Sequence, residues 1–399
     1  MNISVAAGGE FNRILQFLIH ELKPRGPWLT PFNIISIPVI LAGLVILCFR
    51  FIYGLGSVTN LTQEQPWGLW LGFDVVTGVA LAGGAYVITF VVYIMRVEKY
   101  QSIVRATVLN GLLAYMFYGG ALLFDLGRPW NAMNPFIGNS FGFASVLFLI
   151  CWHFALYMVA AFVEFSPVIA EWLNLEKARK FLKSLVLGTV ILGVTLSLLH
   201  QSGLGALFLM AKPKIHPLWW SQFTPVLFFV SSIYAGLAMI IFEGTISHGV
   251  FKNLINPKGH HAFDDMVFGL AKGAAITMFV YYVFKALLFI HEKQWDLINT
   301  SWGYWYLLEV LGFVLVPAFM FAFGFKHRSL NIIKIASVLA LLGIILNRLN
   351  VSVICFQWYE PVHYYPSWQE ITVTLMVIFS EIWLFRWVVT RMPVFGSEH

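Results

Sequence analysis

The chain has 399 residues, 59% of them hydrophobic and only 11% charged, with a formal net charge of +6 and a mean hydropathy of +0.78. Soluble globular domains carry roughly 25% charged residues, so a water-soluble fold would have too little polar surface to face solvent. The basic residues fall in short clusters between apolar runs, a pattern that fits membrane topology and argues against a nucleic-acid partner.

Taken in order, the chain opens with apolar positions at helical spacing from Phe11 to Leu22, the signature of a short helix lying on a membrane surface. This segment, residues 1–31, is read as cytoplasmic. About 20 apolar residues are needed to cross the hydrocarbon core as a helix. Runs of that size occur at 32–53, 68–95, 106–125, 141–164 and 184–209, and again at 222–247, 265–290, 302–325, 331–351 and 368–390. The expectation is therefore an all-α, polytopic transmembrane fold of about ten spans over residues 32–391, closed by a cytoplasmic tail at 392–399.

The connecting segments alternate in charge. Lysines and arginines number seventeen on one side, from Arg13 to Arg391, against five on the other (Arg128, Lys212, Lys214, Lys293 and Arg348). The positive-inside rule then puts both termini in the cytoplasm of a bacterial inner membrane. The second and sixth spans echo each other weakly. Each follows a Pro-Trp-rich outer loop, and each carries a small-residue patch, Gly83-Gly84 and Ala235-Gly236.

An ionisable side chain inside a span costs several kcal/mol or thereabouts and calls for a reason. Near the outer face lie Asp74, Asp125, Arg128, His200, Glu309 and Arg348, with Lys285 somewhat deeper. Towards the middle and the inner face lie His153, Glu164, Glu243, Lys272 and Glu381. The outer set is read as converging on one leaflet, beyond what interhelical ion pairing requires. The string Phe124-Asp125-Leu126-Gly127-Arg128-Pro129 ends the third span with an acid, a turn glycine and an arginine stopped by proline. His200-Gln201-Ser202-Gly203 is a polar step within the fifth span. Cys48, Cys151 and Cys355 form no CxxC or CxxCH spacing, so the chain is expected to bind no iron–sulfur cluster, zinc or c-type haem itself. A b-type haem is not expected either. His153 and His200 are the histidines well inside spans, and a rise of about 1.5 Å per residue sets them at different depths.

At these strings the sequence resembles the polysulfide-reductase membrane-subunit (NrfD-like) family. The likeness is strongest to its longer, ten-span branch, which includes the integral membrane subunit of periplasmic nickel–iron hydrogenases. The matching stretches run from Phe51…Tyr53-Gly54-Leu55-Gly56-Ser57-Val58 through Pro66-Trp67-Gly68…Trp70…Phe73-Asp74, Gly83-Gly84, Asp125-Leu126-Gly127-Arg128, His200-Gln201-Ser202 and His216-Pro217-Leu218-Trp219. They continue to Ile241-Phe242-Glu243-Gly244, Glu309-Val310 and Pro366-Ser367-Trp368-Gln369-Glu370. The resemblance implies a haem-free and metal-free protein that binds a quinone, usually menaquinone, near the outer face. It also implies an iron–sulfur partner on that face, carrying electrons to or from a periplasmic catalytic subunit. Two four-helix bundles follow from it, 68–209 and 222–351, with the first and last spans peripheral. One departure is Leu149, where hydrogenase-associated relatives carry a glutamate; His153 lies one turn further in.

Within that reading, Asp74, Asp125 and His200 are the candidates for carbonyl hydrogen bonding and proton exchange. Arg128 would fix Asp125 or stabilise developing negative charge, Trp67 and Trp70 would line the headgroup entrance, and Glu309 would join the binding set. Glu243, Glu381, Lys272 and His153 would link the cytoplasm to the site, with a silent Glu243–Lys272 pair as the competing account. A rival class is a secondary transporter using the outer acids as a substrate or ion site.

Overall fold

A computed structural model describes residues 16–395 except 18, 24, 26, 28, 138–141, 143 and 252–256, with no side chains described for 257–261. Among the described residues, ten helices are long and apolar enough to cross a membrane. They are α1 (Pro31–Tyr53), α2 (Trp70–Ile94), α3 (Glu98–Asp125), α4 (Val146–Trp172), α5 (Glu176–Ala211), α6 (Thr224–Val250), α7 (Ala262–His291), α8 (Ser301–Lys326), α9 (Leu330–Ile354) and α10 (Trp368–Val389). The protein is a polytopic all-α membrane protein, as its composition requires. The anticipated surface helix over Phe11–Leu22 lies largely outside the described residues.

Two helices run past their apolar windows. α4 continues to Trp172 and α5 begins at Glu176, because their charged ends are held by ion pairs. Glu171 meets Arg105 at 3.0 Å and Arg179 at 3.1 Å. Long basic side chains reach outward from an apolar stem in this way.

Helices α2, α3, α4 and α5 pack around one ring, α2 on α3, α3 on α4, α4 on α5 and α5 on α2. Helices α6 to α9 close a second ring in the same manner, and α1 lies along α10 beside the first. The rings meet where α6 packs on both α5 and α2. At this seam the two small-residue patches noticed in the sequence touch each other. A Cβ on Gly236 would stand 2.1 Å from the Gly84 nitrogen, and one on Gly83 would stand 2.4 Å from the Ser232 carbonyl oxygen. Backbone meets backbone, which is how small residues let membrane helices approach. Tyr86 and Ser232 hydroxyls then hydrogen-bond across the seam at 2.8 Å. Gly236→Ala is therefore expected to destabilise the protein by about 1–3 kcal/mol, as overpacking does. Gly188→Ala, with nothing within 4 Å of the added methyl, should be neutral or slightly stabilising. Thermal unfolding of the two variants in detergent checks the contrast.

Both chain ends lie at one end of the bundle, called here the terminal end. Arg391 donates to the carbonyls of Glu21 (2.5 Å) and Lys23 (2.7 Å), and Arg25 donates to that of Thr390 (3.1 Å). The other end, the loop end, is stitched from distant segments. The backbone N–H of His216 donates to Cys355 (2.9 Å) and that of Gln357 to Lys214 (2.6 Å), while the Gln357 side chain reaches Glu64 (3.0 Å).

Several helices contain a widened π-helical turn: Trp70–Val75 in α2, Tyr115–Gly119 in α3, Leu308–Leu315 in α8 and Asn350–Ile354 in α9. Such turns leave backbone and side chains off the regular ladder and concentrate at functional positions. Here they carry Asp74, Tyr115, Tyr118, Glu309 and Asn350.

Candidate functional site

At the loop end α2 and α10 start together and run side by side in register. Trp70 Nε1 donates to the Glu370 carbonyl (3.1 Å), and one turn on Thr374 Oγ1 donates to Asp74 Oδ2 (2.9 Å). Helix α10 is started by a capping box of Ser367 and Glu370, which satisfies backbone donors that a helix N-terminus leaves free. The Glu370 carboxylate also accepts from the Asn60 backbone N–H (3.1 Å) and from the Tyr364 hydroxyl. Burial, and then the neighbouring Glu370 carboxyl, push the Tyr364 hydroxyl above its usual range, so it stays protonated. Tyr364 in turn accepts from the Leu69 N–H (3.0 Å), and it lines a cavity of about 390 Å³ with Leu69, Trp302, Val353 and His363.

Asp125 is the last residue of α3, and the arginine that serves this helix end comes from α1. Arg50, 2% exposed, donates through Nε to the Phe124 carbonyl (2.7 Å) and through a terminal nitrogen to that of Leu126. It thereby covers carbonyls that a helix C-terminus leaves unpaired. Its charge acts on Asp125, as does that of Glu370, and Asp125 in turn acts on Asp74. Arg128, expected to fix Asp125, is instead exposed, and no bond joins the two among the described residues. Asp74 Oδ1 and Asp125 Oδ1 are both buried with no hydrogen-bond partner among the described residues. Two carboxyls within electrostatic reach of one another thus each keep a buried oxygen without a protein partner, a feature that calls for an explanation.

His200 does not join them. It is 3% exposed and wedged between the rings of Tyr115 (5.5 Å) and Phe154 (6.0 Å). Its Nδ1 and that of His153 have no hydrogen-bond partner among the described residues, and the Ile150 backbone lies within hydrogen-bonding reach of the His200 ring. Next to it Gln201 donates to the Val79 carbonyl (2.8 Å). Asp74 is in reach of Tyr118 and His200 meets Tyr115, two residues of one widened turn of α3. The expected single convergence becomes two neighbouring clusters. Leu149 is 44% exposed and points outward.

From Asp74 a line of polar groups descends toward the terminal end. Tyr118 is within electrostatic reach of Asp74 and hydrogen-bonding reach of Glu381. Glu381 acts on Glu243, which faces the Asn110 amide. Glu243 then lines a cavity of about 130 Å³ with Thr107, Ser247 and His248 at the terminal end. Lys272, expected in this path or paired with Glu243, is exposed and lies over the Phe325 ring at 5.8 Å.

Glu309 belongs to a separate cluster in the second ring. Fully buried, it accepts from Trp219 Nε1 (2.7 Å), Asn347 Nδ2 (2.7 Å) and Asn350 Nδ2 (2.5 Å). Arg348 braces Asn347 (2.8 Å) and Ser231 (2.7 Å) and covers the Phe228 ring at 3.6 Å. Saturated in this way, Glu309 has a structural bond for each oxygen. Trp67 packs on Phe356 and Phe208, at 4.6 and 5.4 Å. Trp70, 1% exposed, is interior rather than at an entrance. His216, in the loop before α6, is boxed by Trp219, Trp302 and Trp358, and burial lowers its pKa to about 4. No group of three or more His, Cys, Asp or Glu placed to hold a metal ion occurs among the described residues.

Arg50, Tyr118, Asn110, Tyr364 and Glu370 were not singled out by sequence. Only Glu370 left a signal, the Ser-x-x-Glu spacing of a capping box.

Comparison with known proteins places these residues in a family. The profile of polysulphide reductase, NrfD, matches residues 57–358. A protein of Nitratidesulfovibrio vulgaris strain Hildenborough is 41% identical over 368 residues, 92% of this chain and 95% of its own. The probable Ni/Fe-hydrogenase 2 b-type cytochrome subunit of Escherichia coli K12 is 26% identical, over 94% of this chain and 95% of its own. The Hdr-like menaquinol oxidoreductase integral membrane subunit of Archaeoglobus fulgidus is 24% identical over 51% of this chain and 47% of its own. The chain belongs to the polysulphide reductase NrfD family.

Proposed function

We propose that this NrfD-family chain is the quinone-reactive membrane subunit of a respiratory oxidoreductase complex, with menaquinone held at Asp74 and Asp125. The observation that carries the reading is the pair of buried, unpartnered carboxyl oxygens on those two residues beside Arg50. A bound quinone supplies two-electron, two-proton redox chemistry at two carbonyl oxygens. Asp74 Oδ1 and Asp125 Oδ1 would hydrogen-bond a headgroup and exchange protons with it. Arg50 fixes Asp125 and the end of α3, and Thr374 orients Asp74. The apolar cavity lined by Tyr364 and Leu69 would offer a headgroup an approach to the start of α2. Trp67 and Arg128 then stand at the rim.

The seventeen-to-five distribution of basic residues supports a periplasmic loop end and cytoplasmic termini. An iron–sulfur protein would dock on the stitched loop end and join a periplasmic catalytic subunit; the hydrogenase and menaquinol oxidoreductase relatives, each named as one subunit of a larger enzyme, support such partners. We read the two helix rings as the family's two bundles. Tyr118, Glu381, Glu243 and the terminal-end cavity would carry protons from the cytoplasm, making turnover electrogenic.

Displacement of a naphthoquinone probe from the purified protein by menaquinone analogues tests the binding. The proton route has its own test in the native complex. Glu381→Gln is expected to lower the charge moved across the membrane per electron while leaving probe binding intact. Unchanged charge movement takes Glu381 out of the route.

A further inference from the structure

The first helix ring contains a buried carboxyl that this route does not use. Glu164 sits in α4, and its Oε1 is buried with no hydrogen-bond partner among the described residues. It lines a cavity of about 170 Å³ at the terminal end, together with Tyr93, Gln101, Arg105, Pro167 and Lys183. A polar cavity of this size holds water readily. On the facing helix, a Cβ on Gly193 would come no nearer than 3.9 Å to the carboxylate, so α5 leaves the group room. Pro167 has no N–H to offer the Val163 carbonyl one turn back. Ser166 Oγ supplies that bond instead (2.6 Å).

The same face of α4 carries His153, Tyr157 and Glu164, spaced by four and seven residues. At about 1.5 Å per residue they step through roughly 16 Å of the membrane. Tyr157 is within electrostatic reach of Glu164, and its ring lies 4.2 Å from that of Tyr115. Tyr115 then meets His200 at 5.5 Å and hydrogen-bonds Ser197 at 3.4 Å. Electrostatic proximity and ring contacts therefore lead from the cavity through Tyr157 and Tyr115 to His200.

We propose that Glu164 is the proton-loading port of a second buried route, running through Tyr157 and Tyr115 to His200 and His153. A proton passes from cavity water to a Glu164 oxygen and onward along hydroxyl and imidazole groups, and no electron moves with it. The proposal rests on the quinone reading for its purpose, but its test does not depend on a bound quinone.

Infrared difference spectra of the full chain in lipid vesicles, taken on exchange from H₂O to D₂O, read buried carboxylic acids directly. The expected result is an exchangeable carboxylic-acid band that Glu164→Gln removes, Glu164→Asp shifts and Glu243→Gln leaves in place. In the assembled complex, Glu164→Gln should also lower the charge moved per electron without loss of naphthoquinone-probe binding. A spectrum unchanged by Glu164→Gln, or a Glu164 band that never exchanges with D₂O, overturns the proposal. Should Glu164→Gln fail to fold, exchange in the wild type and the band shift in Glu164→Asp decide the matter. Absence of probe binding to the wild type would instead count against the quinone reading, leaving the exchange result to stand alone.

Discussion

Asp74→Asn lowers quinone-dependent electron transfer by about a hundredfold or more, the scale on which a positioned acid–base group contributes, while the helices stay assembled. The amide keeps the shape of the carboxyl, and its one oxygen, turned to the place of the wild-type Oδ2, can still accept from Thr374 Oγ1, so the fold is spared. What it loses is proton exchange at the free Oδ1. Asp125→Asn should behave alike, because its Oδ1 is equally unpartnered and Arg50 holds the neighbouring carbonyls whether or not the carboxyl is present. Turnover with a menaquinol analogue, alongside thermal unfolding of the same preparations, separates lost chemistry from lost structure. Full activity in both variants would remove the two acids from the site.

Glu309→Ala has the opposite signature. Three side-chain donors end on its carboxylate, and Arg348 is tied to the cluster through Asn347. Truncation strands Trp219, Asn347 and Asn350 and leaves the buried guanidinium without its nearest anion. Removing one member of a buried charged set costs about 3–5 kcal/mol, so the protein should lose stability before it loses quinone affinity. Glu309→Gln, which keeps one acceptor oxygen, should fall between the two. Loss of probe binding at full stability would return Glu309 to the binding set.

The contrast between Asp74 and Glu309 shows what the sequence made legible. Hydropathy places a residue by depth, and both acids were rightly read as intramembrane. Depth says nothing about rotation around a helix or about which ring a helix joins. By depth alone Asp74 and His200 share a site, whereas in the fold they meet different residues of α3, Tyr118 and Tyr115. The widened turns compound the difficulty, since each one shifts the side-chain register beyond it. Arg50 reads in sequence as one more basic residue near a span end, and only the fold brings it 74 positions along the chain to Phe124. Tyr118 reads as one aromatic among many, because a hydroxyl in an apolar run gives no sign of a carboxyl from α10. The ten spans and the family strings, by contrast, are local patterns, and those carried through.

Photolabelling with an azido-naphthoquinone, followed by mapping of the modified peptides, tests the central claim most directly. Label is expected within Leu69–Val75 and Leu122–Gly127, competed away by menaquinone analogues and lost in Asp74→Asn. Competable label confined to the second ring around Glu309, with none on those two segments, would contradict it.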